Sequence, residues 1–113
     1  MNQLVTEQRA ICKTFGSEFV AAEMNKKLGL ALPLSSEGPA HGLRHPPEGD
    51  TTGWYIWTGE LSDREDFFQP LHCHHLASQN PEILRYLGLA PGWRFLITKN
   101  HQDVWFDPEL LNI

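Results

Sequence analysis

The stretch Gly53-Trp54-Tyr55-Ile56-Trp57-Thr58-Gly59 constrains the fold more than any other part of the chain. Aromatic and β-branched residues crowd between two glycines, the composition of a packed, pleated surface, and the stretch predicts a strand well inside a sheet. Such a strand needs neighbours. Trp93-Arg94-Phe95-Leu96-Ile97-Thr98, a turn at Asn100 to Gln102, and Asp103-Val104-Trp105-Phe106-Asp107 read as a β-hairpin, and Leu28-Gly29-Leu30-Ala31-Leu32 reads as a buried strand.

Helical signals surround these strands. Leu4, Ile11, Cys12 and Phe15 recur at helical spacing between Glu7, Gln8, Arg9 and Lys13, predicting an amphipathic helix from Gln3 to Phe15 that stops at Gly16. Residues 17–27 can be read as a second helix, with Phe19, Ala22 and Leu28 roughly in register. Asn80-Pro81 opens a short helix carrying Ile83, Leu84 and Leu87 and ending at Gly88, and Pro108 begins a last turn that tucks Leu110 and Leu111 onto the core. Residues 33–53 hold Pro33, Ser35-Ser36, Gly38-Pro39, Gly42, Pro46-Pro47 and Gly49-Asp50, which reads as one long loop and hence a place to look for a site. The order is helix, strand, long loop, strand, short helices, hairpin. It predicts an α+β fold in which a small antiparallel sheet of three or four strands carries the N-terminal helix and the short helices on one face.

With 113 residues the chain has room for one core, and a single domain over 1–113 is expected. Nine basic against fourteen acidic residues give a formal charge of -5, which disfavours nucleic-acid binding and suits a basic protein partner. The start MNQLVTEQRAICK lacks the features of a secretory signal, and no apolar stretch approaches bilayer length, so a cytoplasmic location without membrane contact is expected. Cys12 and Cys73 lie far apart, and in that compartment both are expected to be reduced thiols.

Chemistry is sparse. In His72-Cys73-His74-His75, alternate residues of a strand would point His72 and His74 to one face as two metal ligands. No second pair of ligands accompanies them, and the bland alternative is that these histidines lead into a helix with Cys73 and Leu76 packed inward. A Cys73 nucleophile with an adjacent histidine as base is disfavoured because neighbours on a strand face opposite ways. Glu60, Asp63, Glu65 and Asp66 could supply acid and base groups, but nothing signals the burial that would split their pKa values, and a solvated acidic edge is the simpler reading. Beside Trp54, Trp57, Phe67 and Phe68 that edge would form an interface with aromatic anchors, although many of those rings must also fill the core. Arg44-His45 in the long loop could bind an anion, although an isolated arginine is more simply read as solvated or paired to a local acid. No phosphate loop, dinucleotide fingerprint, zinc-protease helix, nucleophile elbow or calcium loop occurs, and no cofactor is implied.

Gly42-Leu43-Arg44-His45-Pro46-Pro47-Glu48-Gly49, Gly53 to Glu60, Asp66-Phe67-Phe68, Pro91-Gly92-Trp93-Arg94-Phe95-Leu96-Ile97 and Asp103-Val104-Trp105-Phe106-Asp107 together resemble the bacterial immunity protein family thirty-three and its close relatives, first catalogued as a domain of unknown function. The resemblance runs from about Gly42 to Leu111. It implies a small cytosolic protein that binds and neutralises a polymorphic toxin as a stoichiometric inhibitor, with no catalytic residues. On that reading Arg44, His45, Glu60, Asp63, Glu65 and Asp66 face the toxin. The competing reading is a small metal-binding or hydrolase-like domain built on the cluster at 72–75.

Overall fold

The computed structural model describes residues 3–32, 34 and 39–112. Helix α1 covers Gln3–Phe15 and turns its apolar stripe inward, burying Ile11 and Cys12 together with Gln8, whose side-chain amide donates to the Leu84 carbonyl at 2.9 Å. Gly16 ends the helix in the left-handed region at φ 87°, and the N–H groups of Gly16 and Ser17 both donate to the Cys12 carbonyl. A residue with a Cβ is strained in that conformation, which is why the helix stops where the sequence places the glycine.

The described residues form six strands in one sheet, twice the lower expectation: β1 (Lys27–Leu30), β2 (Ala40–Arg44), β3 (Thr51–Thr58), β4 (Gln69–His72), β5 (Trp93–Ile97) and β6 (Gln102–Phe106), in the spatial order β4-β1-β3-β2-β5-β6. The aromatic strand β3 is interior, as its composition predicts. The sheet is mixed, because β1 runs parallel to β3 while every other neighbouring pair is antiparallel.

The largest departure from the sequence reading is β2, which lies inside the stretch read as one long loop. Apart from Gly42, its turn residues gather on either side of 40–44, and between them burial alternates residue by residue, as it must in a strand. The inward positions are unusual. Gly42 lies beneath the Phe95 ring, where a Cβ would come within 2.2 Å of ring carbon, and Arg44 is buried. Neither residue carries a strand signal. Residues 17–27 form no helix: Phe19 bridges Leu89, and the Val20 N–H donates to the Gly88 carbonyl at 2.8 Å.

After β4 the chain turns into α2 (His74–Gln79), then a 3-10 turn over Pro81–Tyr86 whose first free N–H, on Glu82, is capped by the Asn80 side chain. A second 3-10 turn, Pro108–Leu111, follows β6; it buries Leu110, whereas Leu111 is exposed, contrary to expectation. The core lies between these helical elements and one face of the sheet. Ile11, Cys12, Leu76, Ile83, Leu84 and Leu87 meet Leu28, Leu30, Trp54, Ile56, Phe95 and Val104 there. No helix among the described residues is long and apolar enough to cross a membrane.

Candidate functional site

Period-two alternation sends the remaining strand residues to the opposite face, away from the helices. In β3, Trp54 and Ile56 enter the core while Tyr55 and Trp57 turn outward. Cross-strand register extends this outer face: His41 lies opposite Trp57 and Leu96, Leu43 opposite Tyr55 and Arg94, and Arg94 opposite Trp105. Aromatic contacts organise it. His41 stacks on Trp57 with centroids 5.0 Å apart, Phe68 meets Tyr55 edge-on at 5.2 Å and Trp57 at 5.9 Å, and Arg94 sits 5.5 Å over Trp105 while pairing with Asp107 at 3.2 Å. Trp57 is almost wholly covered, but Tyr55 and Trp105 remain 38% and 37% exposed.

Between β1, β3 and Phe68 the outer face is indented by a cleft of about 180 Å³, walled by Tyr55, Phe68 and Pro70 with Gly29 and Gly53 beneath. Gly29 is required there, since a Cβ would approach the Tyr55 ring to 2.6 Å and displace a wall of the cleft. Lys27 stands at the rim, neutralised by Asp50 at 3.4 Å.

The segment 59–68 delivers Phe67 and Phe68 to this face, and just before them it carries the acidic residues singled out from sequence. Glu60, Asp63, Glu65 and Asp66 are all exposed. Asp66 pairs with Arg64 at 3.6 Å, whereas Glu60, Asp63 and Glu65 take part in no ion pair among the described residues. His45 lies at the other end of the same aromatic row: its ring meets Tyr55 edge-on at 5.6 Å, Tyr55 meets Phe68, and Phe68 meets Phe67 at 4.8 Å. Its Nδ1 is tied to the Leu110 carbonyl at 2.9 Å, which fixes the ring.

Arg44 does not join this surface. It points into the core, 1% exposed, and its guanidinium donates to five backbone carbonyls: Thr52 (2.8 Å), Val20 (2.7 Å), Leu89 (2.8 Å), Ala21 (3.3 Å) and Leu87 (3.4 Å). Burial draws its pKa down to about 10, still cationic at neutral pH, and the carbonyl dipoles stand in for a carboxylate. The expected contact residue is a structural one.

The histidine cluster follows the blander of its two sequence readings, a lead into a helix with Cys73 and Leu76 packed inward. The chain leaves β4 at His72 and enters α2 at His74, so strand alternation does not govern these residues. The rings of His72 and His74 lie nearly parallel, 5.5 Å apart, and His74 and His75 lie 4.5 Å apart. Among the described residues no group of three or more histidine, cysteine or carboxylate side chains is arranged to hold a metal ion. Cys73 and Leu76 are fully buried, and burial pushes the Cys73 thiol up to about 11, leaving little thiolate to act as a nucleophile. Cys12 and Cys73 are both free and buried.

The sequence profile of the Imm33-like domain matches residues 7–107, from the first turns of α1 to the end of β6. The chain belongs to the Imm33-like family. The matched region of this Imm33-like domain contains the whole outer face, the cleft and the acidic segment. Neither a curated protein nor a solved structure matches the chain.

Sequence reasoning placed Trp54, Trp57, Phe67 and Phe68 near the acidic edge; Trp54 instead lies in the core, and His41, Leu43, Tyr55, Arg94 and Trp105 were missed. The alternation within 53–59 separates Trp54 from Tyr55 and carried part of that information. Which set faces outward depends on where the helices pack.

Proposed function

We propose that this chain is a cytoplasmic immunity protein, acting as one domain over 1–113, that binds a polymorphic toxin and neutralises it stoichiometrically, without turnover. The observation that carries the reading is membership of the Imm33-like family over nearly the whole chain. The outer face supports it: exposed rings on a sheet, bordered by Glu60, Asp63 and Glu65, which take part in no ion pair among the described residues, have the make-up of an interface with aromatic anchors and a charged rim. With a formal charge of -5, the domain favours a basic toxin and gains association rate from that complementarity. Against a nucleophilic role for the cluster at 72–75 stands its buried Cys73 thiol, whose pKa burial raises.

The test is affinity capture of the tagged protein from lysate of its own organism, with mass spectrometry and a salt series on the retained material. One toxin-like protein, released more readily at high salt, is the expected result. A metal or small molecule retained in place of any protein partner would overturn the reading.

A further inference from the structure

We propose that the cleft between β1, β3 and Phe68 is the anchor pocket of this domain, and that it receives a single apolar side chain projecting from a lysine- or arginine-rich segment of the partner protein. This rests on the immunity reading for the partner's identity but makes a separate claim about where and how it is held.

Size sets the first limit. Pockets for cofactors and drug-sized ligands occupy at least about 300 Å³. An apolar cavity of about 150 Å³ takes one benzene ring. At about 180 Å³ this cleft suits one aromatic ring or branched aliphatic group. Its walls are the Tyr55 and Phe68 rings, locked edge to face, and the Pro70 ring on edge strand β4, so it is preformed and costs little ordering on binding.

Charge decides the chemistry around that side chain. Phe68 closes the segment bearing Glu60, Asp63 and Glu65, none of them in an ion pair among the described residues. Lys27 at the opposite rim is already neutralised by Asp50. Nearer the cleft, Glu48, whose backbone N–H and carbonyl both bond the hydroxyl of Thr51 on the lining, is exposed and in no ion pair among the described residues. The field at the mouth is therefore negative. It repels nucleic-acid phosphates and anionic lipid and attracts lysine and arginine flanking an apolar anchor.

The probe is the pentapeptide amide acetyl-Lys-Lys-Phe-Lys-Lys, titrated into uniformly 15N-labelled full-length protein and followed by amide chemical shifts. Saturable shifts at Gly29, Gly53, Tyr55 and Phe68 are expected, with affinity weakening as salt is raised. The peptides with alanine in place of phenylalanine, or glutamate in place of lysine, are expected to bind at least ten-fold more weakly. Pro70→Trp and Thr51→Trp, both at exposed positions, fill the cleft from opposite sides without touching the core; each is expected to raise the Kd at least ten-fold, whereas Thr14→Ala, exposed on α1 behind the other face of the sheet, leaves it unchanged. Shifts scattered over the acidic segment and indifferent to Pro70→Trp and Thr51→Trp would overturn the pocket, as would no saturable shift. Failure of the immunity reading is distinguishable. A captured toxin whose affinity survives both cleft-filling changes removes the pocket and leaves the immunity protein standing; a cleft that binds the pentapeptide when no toxin is captured does the reverse.

Discussion

Arg44 shows how much one residue can organise. Its carbonyl partners come from residues 20–21, 52 and 87–89, so a single guanidinium ties the segment after α1, the start of β3 and the end of the first 3-10 turn to β2. Trp54 Nε1 adds a donor at 3.0 Å to the same Leu87 carbonyl. Replacing Arg44 by alanine would leave these buried acceptors without their donors, and a loss of roughly 3–5 kcal/mol is expected in urea unfolding. Arg44→Lys keeps the charge but not the planar fork, and should recover only part of that stability. His41 gives a pH signature. Burial chiefly, and the Arg94 charge beside it, hold its pKa below the ordinary 6.5. The unfolded chain therefore takes up the proton first, so stability present above pH 6.5 falls as the pH drops from there through the lowered folded value. His41→Gln is expected to flatten this slope in unfolding curves collected across that window.

Among the elements, β2 and β3 form the centre of the sheet, and their neighbours depend on them on both faces. Trp57 lies on the outer face of β3, 4% exposed, between the stacked His41 ring and Phe68. Trp57→Ala is expected to cost about 3 kcal/mol, at the low end for a buried tryptophan because half-buried His41 and Phe68 can settle into the gap. Chemical denaturation measures it; a change within about 0.5 kcal/mol, as for an ordinary surface substitution, would mean that the outer aromatic layer adds nothing to the fold. Sequence signals for the elements differed in kind. α1 and its glycine stop, β3, the β5–β6 hairpin and the Asn80-Pro81 helix start are local and were readable as such. β2 was not, because its inward residues are a glycine required by Phe95 and an arginine required by distant carbonyls.

At the scale of the whole molecule, the sheet separates the helical layer from the aromatic face. The helices cover one face; the other carries the aromatic row and ends at the acidic segment. Asp63→Lys combined with Asp66→Lys should weaken partner binding and reduce its salt dependence while leaving the unfolding midpoint nearly unchanged, since the Arg64–Asp66 pair is highly exposed. Binding assays at two ionic strengths, with a thermal melt as control, check this, and undiminished affinity would move the interface away from segment 59–68.

The sequence by itself determined that the chain builds an α+β fold around an aromatic strand, that it is acidic, and which residues supply the negative edge, because composition, periodicity and turn chemistry act within a few residues of each other. Only the tertiary structure decided that the supposed loop contains a central strand, that Arg44 is spent inside the core, and that Tyr55 and Trp105 face outward while Trp54 and Phe95 do not. Those outcomes rest on pairings between segments tens of residues apart, and on which face of the sheet the helices occupy. No local pattern encodes either.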